Sequence, residues 1–279
     1  MSYKTILVHV DASSRCPTRI RIAAQLTNQN DAHLIGVAVT GVSRYIYEGS
    51  AINANDPNLG THLDWLKERA LAAAEQFTQL TPTLGVTSFE SAVTHDEANG
   101  GLALRARYSD LLILGQHDAD EPSPSVLPDF PESMVLESGR PVLIIPAYGE
   151  FPQIGKRPLI AWDGSREASR AITDAIPLLR NAELVHIAVI NPDDIYDRHG
   201  EQAGADIALY LSRHGINIEI STHETIKDVG HTLLRLCREN KSDLLIMGGY
   251  GHSRFREMIL GGTTQTILKE MDLPVLMSH

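Results

Sequence analysis

Ser242-Asp243-Leu244-Leu245-Ile246-Met247-Gly248-Gly249-Tyr250-Gly251 is the stretch on which the fold turns. Leu244 to Met247 form a short uninterrupted apolar run, which predicts a strand of a parallel sheet buried on both faces. Glycines just beyond such a strand let backbone N–H groups approach an anion at the start of a helix. Nine residues separate Gly251 from Gly261-Gly262-Thr263-Thr264, which heads a helical segment. Glycine clusters also make ordinary turns and helix caps, so the cluster alone leaves both readings open. Two common nucleotide loops are disfavoured. No Lys-Ser or Lys-Thr follows the last glycine, as a Walker A loop requires, and the glycine spacing is not that of the dinucleotide fingerprint.

The same run has a counterpart earlier in the chain, Ser109-Asp110-Leu111-Leu112-Ile113-Leu114-Gly115, and the match extends outward in order. Lys4 to Ser13 parallels Arg157 to Ser165, each an apolar run ending in Asp and a turn of small residues. Asn30 to Val39 parallels Asn181 to Val189, and Arg140 to Pro146 parallels Leu273 to Met277. Strands alternating with helical patterns predict an α/β fold, a parallel sheet with helices on both faces in each half. Ala168, Ala171, Ile172, Ala175, Ile176 and Leu179 recur at helical spacing as one buried stripe, and Pro177 is expected to kink or end that helix. The aperiodic Tyr148 to Gly155 segment reads as a short linker, dividing the chain into residues 1–148 and 156–279.

Bulk properties agree. A length of 279 residues with 43% apolar content suits about two domains, each with a core. The net charge of -11 opposes nonspecific attraction to nucleic acid or anionic membranes, so neither partner is expected. No long apolar span and no basic-then-apolar leader before the strand at Ile6 is read, which predicts a cytoplasmic chain. Two cysteines are too few for a disulfide framework. Cys237 falls on the apolar face with Val229, Leu233 and Leu236 and reads as structural; Cys16 lies where a helix begins, where a thiol pKa can fall, although a lone cysteine without a nearby partner is usually inert.

The spacing Gly248-x2-Gly251-x9-Gly261 resembles the nucleotide motif of the universal stress protein family, and with the repeat the resemblance covers nearly the whole chain as a tandem, two-domain member. The resemblance implies two flavodoxin-like, Rossmann-like domains of the adenine nucleotide alpha hydrolase-like type, each a five-stranded parallel sheet covered by helices. Such domains commonly pair through their last strands, which implies an intramolecular pseudo-dimer, with further homo-oligomers open. It also implies site residues. Asp163 would accept from the adenine amine, although Asp before Gly-Ser is equally a turn and cap residue. Ala161 and Val189 would line the base pocket, and Met247 and Gly248 would approach base and ribose. Gly251 and Gly261 would open the backbone to phosphate. Gly262 stands where the family usually has a serine hydroxyl for phosphate, with Thr263 and Thr264 as replacement donors. Arg254 and Arg256, inside the nine-residue loop, are candidate phosphate partners or plain surface charges.

The first half has lost the motif, reading Gly115-Gln116-His117-Asp118-Ala119-Asp120-Glu121-Pro122-Ser123-Pro124. Its carboxylates repel phosphate, and its prolines, with Pro128 and Pro131, lack donors. Tyr45 to Gly60 is a long polar segment that reads as a lid or a disordered loop. Twelve histidines show no metal-ligand spacing, and His9 and His186 read as satisfied core residues. His223-Glu224 and His95-Asp96-Glu97 read as loop polarity. No Gly-x-Ser-x-Gly elbow is present. The leading expectation is a stress-response protein binding ATP, with or without Mg2+, in its second half. A nucleotide-free scaffold for a protein partner and a slow ATPase are the alternatives, and no catalytic residue is assigned.

Overall fold

The computed structural model describes residues 2–42, 57–192, 202–226, 228–251 and 262–279. The order β-α-β-α-β-α-β-α-β runs through them twice. The first pass is β1 (Thr5–His9), α1 (Cys16–Asn30), β2 (His33–Val39), α2 (Pro57–Thr83), β3 (Phe89–Thr94), α3 (Ala98–Ala106), β4 (Leu111–Gly115), α4 (Phe130–Glu137) and β5 (Val142–Ile145). The second is β6 (Pro158–Ala161), α5 (Arg166–Leu179), β7 (Val185–Ile190), α6 (Ala205–Ser212), β8 (Ile218–His223), α7 (Val229–Glu239), β9 (Leu244–Gly248), α8 (Gly262–Glu270) and β10 (Val275–Ser278). From Leu111 to Ile145 the first pass maps onto Leu244 to Ser278 without insertion.

Contacts divide the chain into two compact units, Tyr3–Arg140 and Pro141–His279 with the N-terminal dipeptide. In the first, strands lie in the order β3-β2-β1-β4, all parallel. In the second the order is β5-β10-β9-β6-β7-β8; β10, β9, β6, β7 and β8 are parallel neighbours. β5 pairs antiparallel with β10, Val142 opposite Met277 and Ile144 opposite Val275, so the last strands of the two passes meet. The segment Tyr148 to Gly155 lies between β5 and β6, inside the second unit.

Local chemistry explains the elements. β7 and β10 are buried at every position, as their continuous apolar runs require for strands covered on both faces. The Asp of each Ser-Asp-apolar repeat fixes the strand beside it: Asp110 accepts the Lys4 and Thr5 N–H groups at 2.6 and 3.0 Å. Asp243 accepts those of Gly155, Lys156 and Arg157 at 3.2, 2.8 and 3.0 Å. α5 starts at an N-cap, Ser165, whose Oγ accepts the Ala168 N–H at 3.1 Å, and buries the whole expected stripe from Ala168 to Leu179. Pro177 sits inside its last turn and the helix ends two residues later. Gly36 in β2 lies under Phe77 of α2, where a Cβ would come 2.5 Å from the ring. Of the polar segment Tyr45 to Gly60, residues 45–56 lie outside the described residues, and Pro57 to Gly60 open α2.

Candidate functional site

In the second unit the chain leaves β6 in one direction, through β7 and β8, and returns to β9 and β10 on the other side. The carboxyl ends of β6 and β9 therefore form the switch point where open α/β sheets take ligands. A cavity of about 350 Å³ opens there, within the size range of small-molecule sites. Ala161, Trp162 and Asp163 line it from β6 and the turn beyond, Ala188, Ile190 and Asn191 from β7, and Val229 and Leu233 from α7. Met247, Gly248, Tyr250 and Gly251 contribute from β9 and its turn, and Gly262, Thr263 and Thr264 from the start of α8.

Each wall has a local cause. Asp163 is exposed and its Oδ1 accepts the Ser165 N–H at 2.9 Å, so it shapes the turn into α5 while bordering the cavity. Gly248 is held tightly: a Cβ there would lie 2.6 Å from the Ala168 nitrogen. Tyr250 is buried in a left-handed conformation, φ 58°, and its N–H donates to Thr264 Oγ1 at 3.4 Å, tying the glycine turn to the head of α8. Asp228 caps α7 by accepting the His231 N–H at 3.0 Å, and its Oδ2 lies 3.8 Å from where a Gly262 Cβ would be.

Of the expected residues, Ala161, Asp163, Met247, Gly248, Gly251, Gly262 and Thr263 surround this cavity. Val189 does not line it. Side chains alternate across β7, so Ala188 and Ile190 face the cavity while Val189 Cγ2 lies 3.3 Å from the Cβ position of Gly204. Gly261, Arg254 and Arg256 lie outside the described residues. Trp162, Tyr250, Asn191 and Glu167 escaped the sequence reading. Glu167, one residue before the buried stripe of α5, has a side chain only 9% exposed. Its Oε2 has no hydrogen-bond partner among the described residues and lies 3.5 Å from the Cβ position of Gly251. Among the described residues, the exposed Arg166 places its Nη2 3.8 Å from Oε1.

The register-equivalent place in the first unit is largely filled, leaving about 30 Å³ beside Asp11. Asp11, the counterpart of Asp163, is ion-paired with buried Arg19 at 2.7 Å, and the Arg19 guanidinium packs against Gly115. His9 stands where the second unit has Ala161, with its ring 5.2 Å from that of Phe130. Glu121 accepts both the N–H and the hydroxyl of Ser14, at 2.9 and 2.6 Å. Burial raises the Asp11 pKa, but Arg19, His9 and Ser13 outweigh it and hold the carboxyl well below its usual range. Burial lowers His9 to about 4, against the opposing pull of Asp11, so it is neutral at pH 7. Contrary to the satisfied core residue expected, His9 Nε2 has no hydrogen-bond partner among the described residues. Cys16 is buried, receives the Asp11 N–H at 3.4 Å, and is raised by burial, which removes the reactive reading. Burial also pushes Cys237 up to about 12.

Beside the cavity, on the same face of the sheet, His186 Nε2 and His223 Nε2 lie 2.6 and 2.7 Å from Ser221 Oγ. Burial lowers both pKa values. Among the described residues, no group of three or more His, Cys, Asp or Glu could hold a metal ion. No helix of theirs is long and apolar enough to cross a membrane.

Parallel strands, crossover helices and a cavity at the switch point beside a glycine turn define an α/β protein of Rossmann-like, adenine nucleotide alpha hydrolase-like fold. The sequence profile described as the universal stress protein family matches residues 156–279, the second pass of the fold. A universal stress protein of Synechocystis is 29% identical over 152 residues, which is 52% of this chain and 49% of that protein, about half its length. The structure of a universal stress protein from Archaeoglobus fulgidus superposes with a TM-score of 0.73 at 17% identity, covering 98% of this chain and 97% of the other. A functionally unknown protein from Pseudomonas aeruginosa PAO1 superposes with a TM-score of 0.62 at 15% identity, over 99% and 92% of the two chains. These two share the fold.

Proposed function

We propose that this chain is a stress-response binding protein that takes one adenine nucleotide, ATP, in the cavity of its second half. The observation that carries the reading is the cavity at the β6/β9 switch point, bounded by Gly248, Gly251 and the amino end of α8. Backbone donors and a helix N-terminus there suit phosphate, while Ala161, Ala188, Ile190, Leu233 and Met247 offer an apolar slot for a base. Asp163 borders that slot as an acceptor for the adenine amine. The first half serves as a structural partner, its equivalent space taken by His9, Phe130, Arg19 and Asp11. Residues 1–148 and 156–279 act as the two domains of a cytoplasmic pseudo-dimer, a reading favoured by the β5–β10 pairing.

The test is the small-molecule content of the purified, acid-denatured protein, read by mass spectrometry before and after incubation with ATP and Mg2+. Retained ATP supports the reading. ADP accumulating with time favours slow hydrolysis, and an empty protein that takes up no adenine nucleotide favours the scaffold.

A further inference from the structure

Among the described residues that line the cavity there is one carboxylate, Asp163, and no Lys or Arg, and two further carboxylates stand just behind the lining. Asp163 borders it, Asp228 Oδ2 stands beside Gly262 at the head of α8, and Glu167 lies behind Gly251. Glu167 differs from the other two. Asp163 shapes a turn and Asp228 caps a helix, both with carboxylate oxygens engaged by backbone N–H groups. Glu167 Oε2 is buried without a hydrogen-bond partner among the described residues, a position that costs free energy for an ionised carboxylate. Its place as the second residue of α5 returns part of that cost through the helix dipole. It also holds a carboxylate against Gly251, next to Gly249 and Tyr250, whose N–H groups already donate to Ser278 O and Thr264 Oγ1.

We propose that Glu167 sets the charge that the cavity accepts. Resting on the adenine-nucleotide reading above, Glu167 is a specificity-determining residue that disfavours ligands in proportion to their uncompensated phosphate charge. A nucleoside monophosphate enters as it is, whereas a di- or triphosphate enters as its divalent-cation complex and poorly as the free anion. Two unit charges held about 10 Å apart at an effective dielectric of about 20 change affinity by roughly tenfold. The cation travels with the ligand and needs no ligating cluster on the protein.

Calorimetric titration with AMP, ADP and ATP, each in EDTA and in excess Mg2+, tests this on the parent, Glu167→Gln and Glu167→Met. In EDTA the parent loses affinity by roughly tenfold for each added unit of charge, and Mg2+ restores ADP and ATP. Glu167→Gln flattens the EDTA series and removes the Mg2+ requirement. Its ligand-free melting temperature is no lower than the parent's, because a neutral amide of the same shape replaces a buried charge. Glu167→Met, which removes charge and hydrogen bonding together, gives the same flat series. An EDTA series equally steep in parent and both variants, or flat in the parent, overturns the role of Glu167 while leaving the nucleotide reading intact. Failure of all three proteins to bind any of the three nucleotides sinks the nucleotide reading and this inference with it.

Discussion

Asp163 borders the cavity and also receives the Ser165 N–H that shapes the turn into α5, and Asp163→Asn separates the two duties. The amide oxygen still accepts from Ser165, so the melting temperature holds. The amide nitrogen facing the adenine amine weakens nucleotide binding by about 1–3 kcal/mol, measured by calorimetry. Unchanged affinity would reduce Asp163 to a turn residue. His9 supplies a pH test. Its pKa falls from 6.5 unfolded to about 4 folded, so between these values the unfolded chain binds more protons. The stability this neutral histidine gives is present above pH 6.5 and is lost as pH falls towards 4, up to about 3 kcal/mol. Asp11, depressed below its usual range, adds a loss of the same sign below the ordinary carboxylate pKa. Urea unfolding of His9→Leu at pH 7 and pH 4.5 should show a smaller difference than the parent; an equal difference places the acid sensitivity elsewhere. Individual residues were partly legible. Gly248 and Gly251 stood out by their spacing and Asp163 by the family resemblance, but in β7 every position is buried, so hydrophobicity could not say whether Val189 or its neighbours face the cavity. Glu167 left only a faint signal, a charge next to the apolar stripe of α5.

At the scale of elements, close backbone approach decides what the layers tolerate. A Cβ on Gly36 meets the Phe77 ring at 2.5 Å, so Gly36→Ala must push α2 off β2 and should cost about 1–3 kcal/mol in urea unfolding. Near-parental stability would mean that α2 shifts freely. Gly248 meets backbone rather than a side chain, the Ala168 nitrogen at 2.6 Å. Gly248→Ala should therefore lower both stability and nucleotide affinity, by displacing the start of α5 with Asp163 and Glu167. The repeat made the elements readable: apolar runs ending in small-residue turns marked the strands, and the i, i+3, i+4 stripe marked α5. The division of the chain was harder to read. The segment from Tyr148 to Gly155 has the composition of a linker, yet contacts group β5 with the second half, where it pairs antiparallel with β10. Strand pairing across a long sequence separation leaves no local trace in composition.

For the whole molecule, the described residues leave a cavity of about 350 Å³ at the second switch point and one of about 30 Å³ at the first, from which we expect one ligand per chain. The contrast lies in a handful of positions. Ala161 leaves room where His9 fills it, and Thr263 stands where Phe130 meets His9. Gly251 leaves the backbone open where the first half has Asp118. The carboxylates and prolines of the first half were legible in the sequence, whereas the packing of Arg19 and the His9–Phe130 pair into its space depends on side-chain packing that sequence alone does not specify. The most direct test of this account is the stoichiometry of ATP binding to the intact chain in excess Mg2+, by calorimetric titration of the parent and of Gly251→Val. The parent should bind one nucleotide per chain and Gly251→Val none; two per chain, or undiminished binding by the variant, would contradict it.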